Sequence, residues 1–307
     1  AADGSTATPS LANSFATDIY TGNGGTQAVT TGFKPDFTWI KQRNITQNHR
    51  LFDSVRGATN ILSSSNNDAQ GTNSQTLTSF DSNGFSLGNN AAVNTNSGTY
   101  VSWNWKAGGT PSINTDGQNT SALVSANQAG GFSITKFTGN GTNGSSVGHG
   151  LNAVPELWIW KRTSSSSSWV VASTLVNNWQ GYLQLSTDGS TVVDTAMLAP
   201  DSSKIKFPLG SPTFNGSGQN AIIYSFKSIA GYSKVGTYTG LGSGGPLTVN
   251  MGFAPTLGLI KKTTGTGGWR MFDTVRGTNK SLRANESLAE YVDTYNYMDF
   301  TSTGFYF

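Results

Sequence analysis

Asp53 and Arg56 stand three residues apart in Phe52-Asp53-Ser54-Val55-Arg56-Gly57, and the pair returns as Asp273 and Arg276 in Phe272-Asp273-Thr274-Val275-Arg276-Gly277. A carboxylate and a guanidinium at this separation can form charge-assisted hydrogen bonds. Followed by glycine, such a pair pins a turn. The competing chemistry makes Arg56 and Arg276 ligands for the carboxylate of a sialic or uronic acid. The turn is the preferred reading, so Asp53, Arg56, Gly57, Asp273, Arg276 and Gly277 are taken as a repeated structural motif.

Other residue types that support catalysis do not converge in the sequence. An active site needs paired acids, a nucleophile with its base, or a metal. His49 lies in a polar loop beside Arg50, and His149 falls where sister stretches carry Thr31 and Met251. Both read as hydrogen-bonded histidines rather than bases. Glycosidases use two carboxylates, but Glu156, Glu286 and Glu290 do not recur. Glu286, Glu290 and Asp293 cluster once, as a solvated face, with a cation or catalytic site as the alternative. The Gly-rich runs 22–25, 139–144 and 240–245 lack the Lys-Ser/Thr and the helix of a phosphate loop. No Asp/Asn-rich loop follows a calcium pattern, and there is no cysteine. The expectation is a protein that is not an enzyme, with no catalytic residue, cofactor or metal. Two aromatic pairs remain, Trp103/Trp105 and Trp158/Trp160, each at i and i+2 on one strand face. Core packing is preferred for them; a sugar-stacking platform is the alternative.

The elements that carry these residues repeat. From Pro35 to Phe85 and from Pro255 to Phe305 the landmarks keep one spacing, including Ile40-Lys41 against Ile260-Lys261 and Gly84-Phe85 against Gly304-Phe305. A diverged copy runs through Pro155-Glu156-Leu157-Trp158-Ile159-Trp160-Lys161. A fixed period of this kind marks an array. Apolar residues at 101, 103 and 105, and at 222, 224 and 226, alternate as in half-buried strands. Further strands are expected at Phe37–Ile40, Leu157–Trp160 and Gly84–Leu87. Helical periodicity is confined to 281–291. The expected fold is all-β, in three tandem antiparallel β-sandwich modules; the run Gly84-Phe85-Ser86-Leu87-Gly88 with Tyr100-Val101-Ser102-Trp103 resembles the closing strands of concanavalin-like or jelly-roll-like sandwiches. The module boundaries are a linker-like segment 1–19, repeat one at 20–109, a linker at 110–131, repeat two at 132–230 and repeat three at 231–307. The third repeat lacks a counterpart of the strand ending at Trp105-Lys106. Either a longer array continues, which is the favoured reading, or a strand from another subunit completes it.

Composition narrows the partners. Only 11% of residues are charged and the formal net charge is +3, which argues against nucleic acid. Eight tryptophans among 38 glycines supply cores separated by turns. No apolar run is long enough for a membrane helix.

The motifs Phe137-Thr138-Gly139-Asn140-Gly141, Val147-Gly148-His149-Gly150-Leu151 and Tyr100-Val101-Ser102-Trp103-Asn104-Trp105-Lys106-Ala107-Gly108-Gly109 complete the set. Together with the Asp-x-Val-Arg-Gly and Pro-x-Leu-x-Ile-x-Lys signatures, they resemble an uncharacterised repeat of marine tailed-bacteriophage structural proteins. The resemblance implies a virion component on the particle surface, such as a tail fibre, head fibre or decoration. It also implies homo-oligomerisation, contacts with other virion proteins and host attachment, with a surface glycan as candidate ligand. A carbohydrate-binding array and a bacterial adhesin or filament subunit completed by strand exchange are the alternatives. The middle stretch departs from the pattern, lacking Asp-x-Val-Arg-Gly.

Overall fold

Alternation of large apolar and small polar residues, broken every few residues by Gly, Asn or Ser, dictates short strands joined by tight turns. The computed structural model describes residues 14–210, 213–242, 246–293 and 298–307. It is mostly β, with several antiparallel sheets and almost no helix. Among the described residues the one α-helix is a single turn, Ala91–Asn94, opened by Asn90 Oδ1 accepting from the Ala92 amide. No helix there is long and apolar enough to cross a membrane.

In the first stretch, four strands lie in the order Phe15–Thr21, Thr99–Trp105, Phe37–Gln42, Arg50–Asp53. One face presents Ile40, Phe52 and Tyr100 to a second sheet of Gln27–Thr30, Gly84–Leu87 and Leu77–Asp81, which contributes Val29, Leu77, Phe85 and Leu87. The opposite face presents Phe37, Trp39, Leu51, Val101 and Trp103 away from that cluster. Period-two side-chain alternation is what gives one strand two buried faces. Gly84 in this second sheet has a steric cause: a Cβ would lie 2.0 Å from the Val29 carbonyl oxygen, and Gly304 meets Val249 in the same way at 1.9 Å.

The second stretch builds an eight-stranded sheet in which Phe132–Thr138, Asn220–Phe226, Leu157–Arg162 and Val170–Ser173 are consecutive neighbours. Trp158, Trp160, Val170 and Ala172 face Val147 and Ile205 of the small Ser146–Gly148/Lys204–Lys206 sheet. Ile134, Ile159, Val171 and Tyr224 point the other way. In the third stretch, Leu257–Ile260, Arg270–Asp273, Lys280–Arg283 and Tyr291–Val292 form one sheet. Its Phe272 packs with Met298 and Phe305, whereas Met271 and Leu282 join the cluster already holding Trp103 and Tyr224. One apolar cluster therefore draws side chains from all three stretches. Each large side chain buried there contributes roughly 1.5–3 kcal/mol.

Three expectations are corrected. The segment 281–291 is not helical: Lys280–Arg283 is a strand whose Leu282 pairs with Met271, and tertiary burial overrides the weak helical pattern. The 110–131 linker contains strands Ser112–Asn114 and Ala122–Asn127, which extend the eight-stranded sheet because Ala122 and Val124 reach its core. The segment 1–19 is not all linker, since a strand begins at Phe15 and pairs with Trp105; residues 1–13 lie outside the described residues.

Candidate functional site

The Asp-Arg motif closes a turn that follows a strand. Asp53 Oδ1 accepts the Arg56 amide at 2.7 Å and Oδ2 accepts Arg56 Nε at 2.5 Å; Asp273 and Arg276 do the same at 2.8 and 2.6 Å. Gly57 and Gly277 follow with φ of +99° and +100°, a conformation glycine adopts without a Cβ clash. The guanidinium groups also donate to the backbone carbonyls of Leu51 and Met271 at 3.0 and 2.9 Å. Both ion pairs are buried, so neither arginine presents a free fork to a sugar carboxylate. Burial works against the Arg56 charge, but Asp53 and Tyr224 more than offset it and raise its pKa above the usual arginine value.

Each aspartate takes one further bond from a different stretch. Tyr224 Oη donates to Asp53 Oδ2 at 2.7 Å, and Trp103 Nε1 donates to Asp273 Oδ2 at 3.0 Å. The Arg276 guanidinium lies 5.3 Å from the Trp103 ring centre. At the corresponding place in the second stretch stand Ser173 and Val176, both buried, so carboxylate and guanidinium are absent together.

The same pairing of stretches recurs around the shared core. The Gln47, Ser167 and Gly267 amides donate to the Ser287, Asn67 and Asp188 carbonyls at 2.7, 2.9 and 2.8 Å. The Glu290, Gln70 and Thr191 amides return bonds to the Arg43, Thr163 and Thr263 carbonyls at 2.7, 3.0 and 3.1 Å. Between these backbone pairs lies a ring nitrogen. Trp169 Nε1 donates to the Ser63 carbonyl at 2.8 Å and Trp269 Nε1 to the Gln184 carbonyl at 2.9 Å. At the third contact His49 Nε2 meets the Arg283 carbonyl at 3.1 Å. First meets third, third meets second, and second meets first.

His49 lies in the loop that leads into Arg50–Asp53, as expected, but turned inward. It is fully buried, and its Nδ1 accepts from Trp39 Nε1 at 2.8 Å, which assigns the proton to Nε2. Burial, reinforced by the charge of Lys41, pushes its pKa well below the ordinary 6.5, so it stays neutral. His149 is also buried, accepting from the Leu151 amide and donating to the Asp201 carbonyl, both at 3.1 Å. Burial lowers its pKa too.

The acidic cluster is divided and not solvated throughout. Glu290 is held by Arg43 at 2.8 Å and by Arg276 at 3.0 Å, and these arginines outweigh burial to keep its pKa below the usual range. Glu286 pairs with Arg283 at 2.7 Å. Among the described residues no three metal-ligating side chains gather.

The two tryptophan pairs face opposite sides of their sheets. Trp103 lies in the shared core; Trp158 and Trp160 lie in the second stretch's own core, beside Phe214. Trp105 is half-buried against Phe15, Phe37 and Phe132. With exposures of 0% for Trp103 and Trp158 and 1% for Trp160, these three rings present no stacking face to a sugar. Neither Trp158 Nε1 nor Trp160 Nε1 finds an acceptor among the described residues. A cleft of 340 Å³ borders Trp160, Arg162, Tyr182 and Asp194, with the Arg162 guanidinium 6.0 Å over the Trp160 ring.

Sequence reasoning noted the recurrence of Lys41, Lys161 and Lys261 but gave it no role. Lys161 Nζ donates to the Asn67 carbonyl at 3.0 Å and Lys261 Nζ to the Asp188 carbonyl at 3.3 Å, while Lys41 Nζ bonds the Gln42 carbonyl at 2.6 Å. Burial lowers the Lys41 and Lys161 ammonium groups to a pKa of about 8. Positions 49, 169 and 269 were missed because one carries His and two carry Trp, which conceals a shared hydrogen-bonding role.

What the geometry defines is a mostly β protein whose repeated polar residues bind its own backbone. Over residues 10–307 the chain matches, and belongs to, the family described as Domain of unknown function (DUF7483). No curated protein and no solved structure matches it.

Proposed function

We propose that the chain is a non-enzymatic structural unit of three β-sandwich modules closed into a ring around one shared core, serving as a surface component of a phage virion. The observation that carries the structural part is the cycle of interface bonds at positions 47/167/267 and 49/169/269, which links every pair of modules. Repetition then has a physical purpose, since three similar sheets each bury an apolar face that none could bury alone. The repeated Asp-Arg pair supports the same reading: it is occupied internally and anchors a neighbour's tyrosine or indole. Sparse charge and Gly/Ser/Asn-rich loops suit a durable extracellular surface, and the resemblance to tailed-phage repeats supplies the virion setting. Fibre or decoration, oligomer formation, contact with other virion proteins and host attachment through avidity of weak sites belong to this proposal. Mass spectrometry of purified particles, followed by antibody labelling in the electron microscope, tests it. Stoichiometric presence at the particle surface is expected; absence from particles refutes the virion setting.

A further inference from the structure

The middle stretch departs from its sisters at two neighbouring places, and both bear on the cleft beside Trp160. The first is a side chain. Arg50 and Arg270 pair across their sheets with Ile40 and Ile260, whereas the residue paired with Trp160 is Val170. A long guanidinium side chain is thus exchanged for an isopropyl group, and a cleft of about 340 Å³ opens there, lined by Trp160, Val170 and Phe214. That volume is within the range of small-ligand sites.

The second departure is in the backbone. Gly57 and Gly277 take a positive φ alone, but Asn177, Asn178 and Trp179 take one in succession, at 50°, 50° and 67°. Residues with a Cβ rarely hold that conformation, and then singly. Strained backbone of this kind collects at ligand sites. The turn positions the second wall of the cleft. The Asn177 side chain and the Asp194 amide both donate to the Gln180 carbonyl, at 3.0 and 3.1 Å, and Tyr182 pairs with Val192 in the hairpin that follows. Tyr182 and Asp194 thereby come to line the cleft opposite Arg162.

The polar lining is uncommitted. Whereas the repeated polar residues bind the protein's own backbone, the Ser168 hydroxyl, the Tyr182 hydroxyl and the Gln184 side-chain amide make no hydrogen bond among the described residues. Burial, with the nearby charge of Asp194, raises the Tyr182 pKa, so its hydroxyl stays protonated. Arg162 and Asp194 are the charged residues of the lining, one of each sign.

We propose that this cleft binds a neutral saccharide residue. Sugar hydroxyls donate and accept, and so do Ser168, Tyr182 and Gln184; Asp194 accepts from further hydroxyls and Arg162 donates to them. An anion meets the Asp194 carboxylate, an ammonium group meets Arg162, and an apolar ligand leaves the polar groups unpaired. Recognition is through hydrogen bonds and not ring stacking, since the Arg162 guanidinium already lies 6.0 Å over the Trp160 ring. The inference deepens the host-attachment part of the proposed function but needs neither ring closure nor the virion setting.

Saturation-transfer NMR on the whole chain, with the methyl glycosides of glucose, galactose, mannose and N-acetylglucosamine as probes, tests it. At least one glycoside should give a transfer signal that saturates with concentration. Val170→Arg restores the sister residue, fills the cleft and should abolish that signal. Tyr182→Phe and Gln184→Ala delete groups that hold nothing within the protein, so each should weaken binding about threefold to tenfold at an unchanged urea midpoint. These two variants keep the test decisive should Val170→Arg fail to fold. Three results overturn the proposal: no glycoside binds, binding is equal in wild type and every folded variant, or inorganic phosphate displaces the glycoside. Because the assay needs no particle, its failure is distinct from failure of the virion setting.

Discussion

Replacing Asp53 by serine, the residue found at 173, should strongly destabilise the protein, while completing the copy should restore it. Asp53 receives the Arg56 amide and Nε at 2.7 and 2.5 Å and the Tyr224 hydroxyl at 2.7 Å, with ion-pair side chains 0% and 1% exposed. Removing one partner from such a pair leaves a buried, uncompensated charge and costs about 3–5 kcal/mol. Asp53→Ser/Arg56→Val removes both charges, as Ser173 and Val176 already do. The remaining deficit is the unpaired Tyr224 hydroxyl, about 1–3 kcal/mol, which Tyr224→Phe removes. The order of stability should therefore be wild type, then triple variant close behind, then double, then Asp53→Ser last. Urea unfolding followed by tryptophan fluorescence measures this, with equal m-values required for the comparison. If the double variant is less stable than Asp53→Ser, the motif does not act as a buried pair and the reasoning is refuted.

Three other expectations concern the junction. Exchanging His49 for Trp alone leaves Trp39 Nε1 without its acceptor, at about 1–3 kcal/mol; the paired change Trp39→Ile/His49→Trp copies Ile159 and Trp169 and should recover much of that loss in the same unfolding assay. His49 is neutral when folded and takes up a proton when unfolded below its ordinary value of 6.5, so stability should decline as pH falls below 6.5. Asp18, raised to about 6 mainly by burial, works in the opposite sense, so the diagnostic is a shallower acid decline in the paired variant than in wild type. Trp169→Phe loses the bond to the Ser63 carbonyl and should destabilise by about 1–3 kcal/mol beyond the packing change, whereas Trp158→Phe removes a donor that has no acceptor among the described residues and should cost less by denaturation midpoint.

Much of the strand pattern was legible because alternation is local. The strands around Trp103, Tyr224 and Phe85 are where period-two spacing puts them. The turn at Asp53–Gly57 was equally readable, since a carboxylate, a guanidinium and a glycine carry their own geometry. The junction was not legible for two physical reasons. Its bonds run largely from or to backbone atoms, as at Ser167 to Asn67 and Trp169 to Ser63, and backbone partners leave little residue signature. Its side chains also change type while keeping their role, as at His49 and Trp269. The cluster of Glu286, Glu290 and Asp293 misled because the arginine that buries Glu290 most directly, Arg43, is 247 positions away. The strands at 112–114 and 122–127 were hidden in a Ser/Thr/Asn-rich stretch in which Ala122 and Val124 still alternate inward.

Ring closure is the central claim, and the first-to-third contact separates it from an open array, where only neighbours in sequence would touch. The chain has no cysteine, so Gln47→Cys/Ser287→Cys introduces its two thiols at a site where a backbone hydrogen bond of 2.7 Å joins the two segments. Oxidation of dilute protein, read by peptide mass mapping, should give an intramolecular 47–287 crosslink in nearly all molecules. Free thiols, or crosslinks only between molecules, would contradict the closed ring.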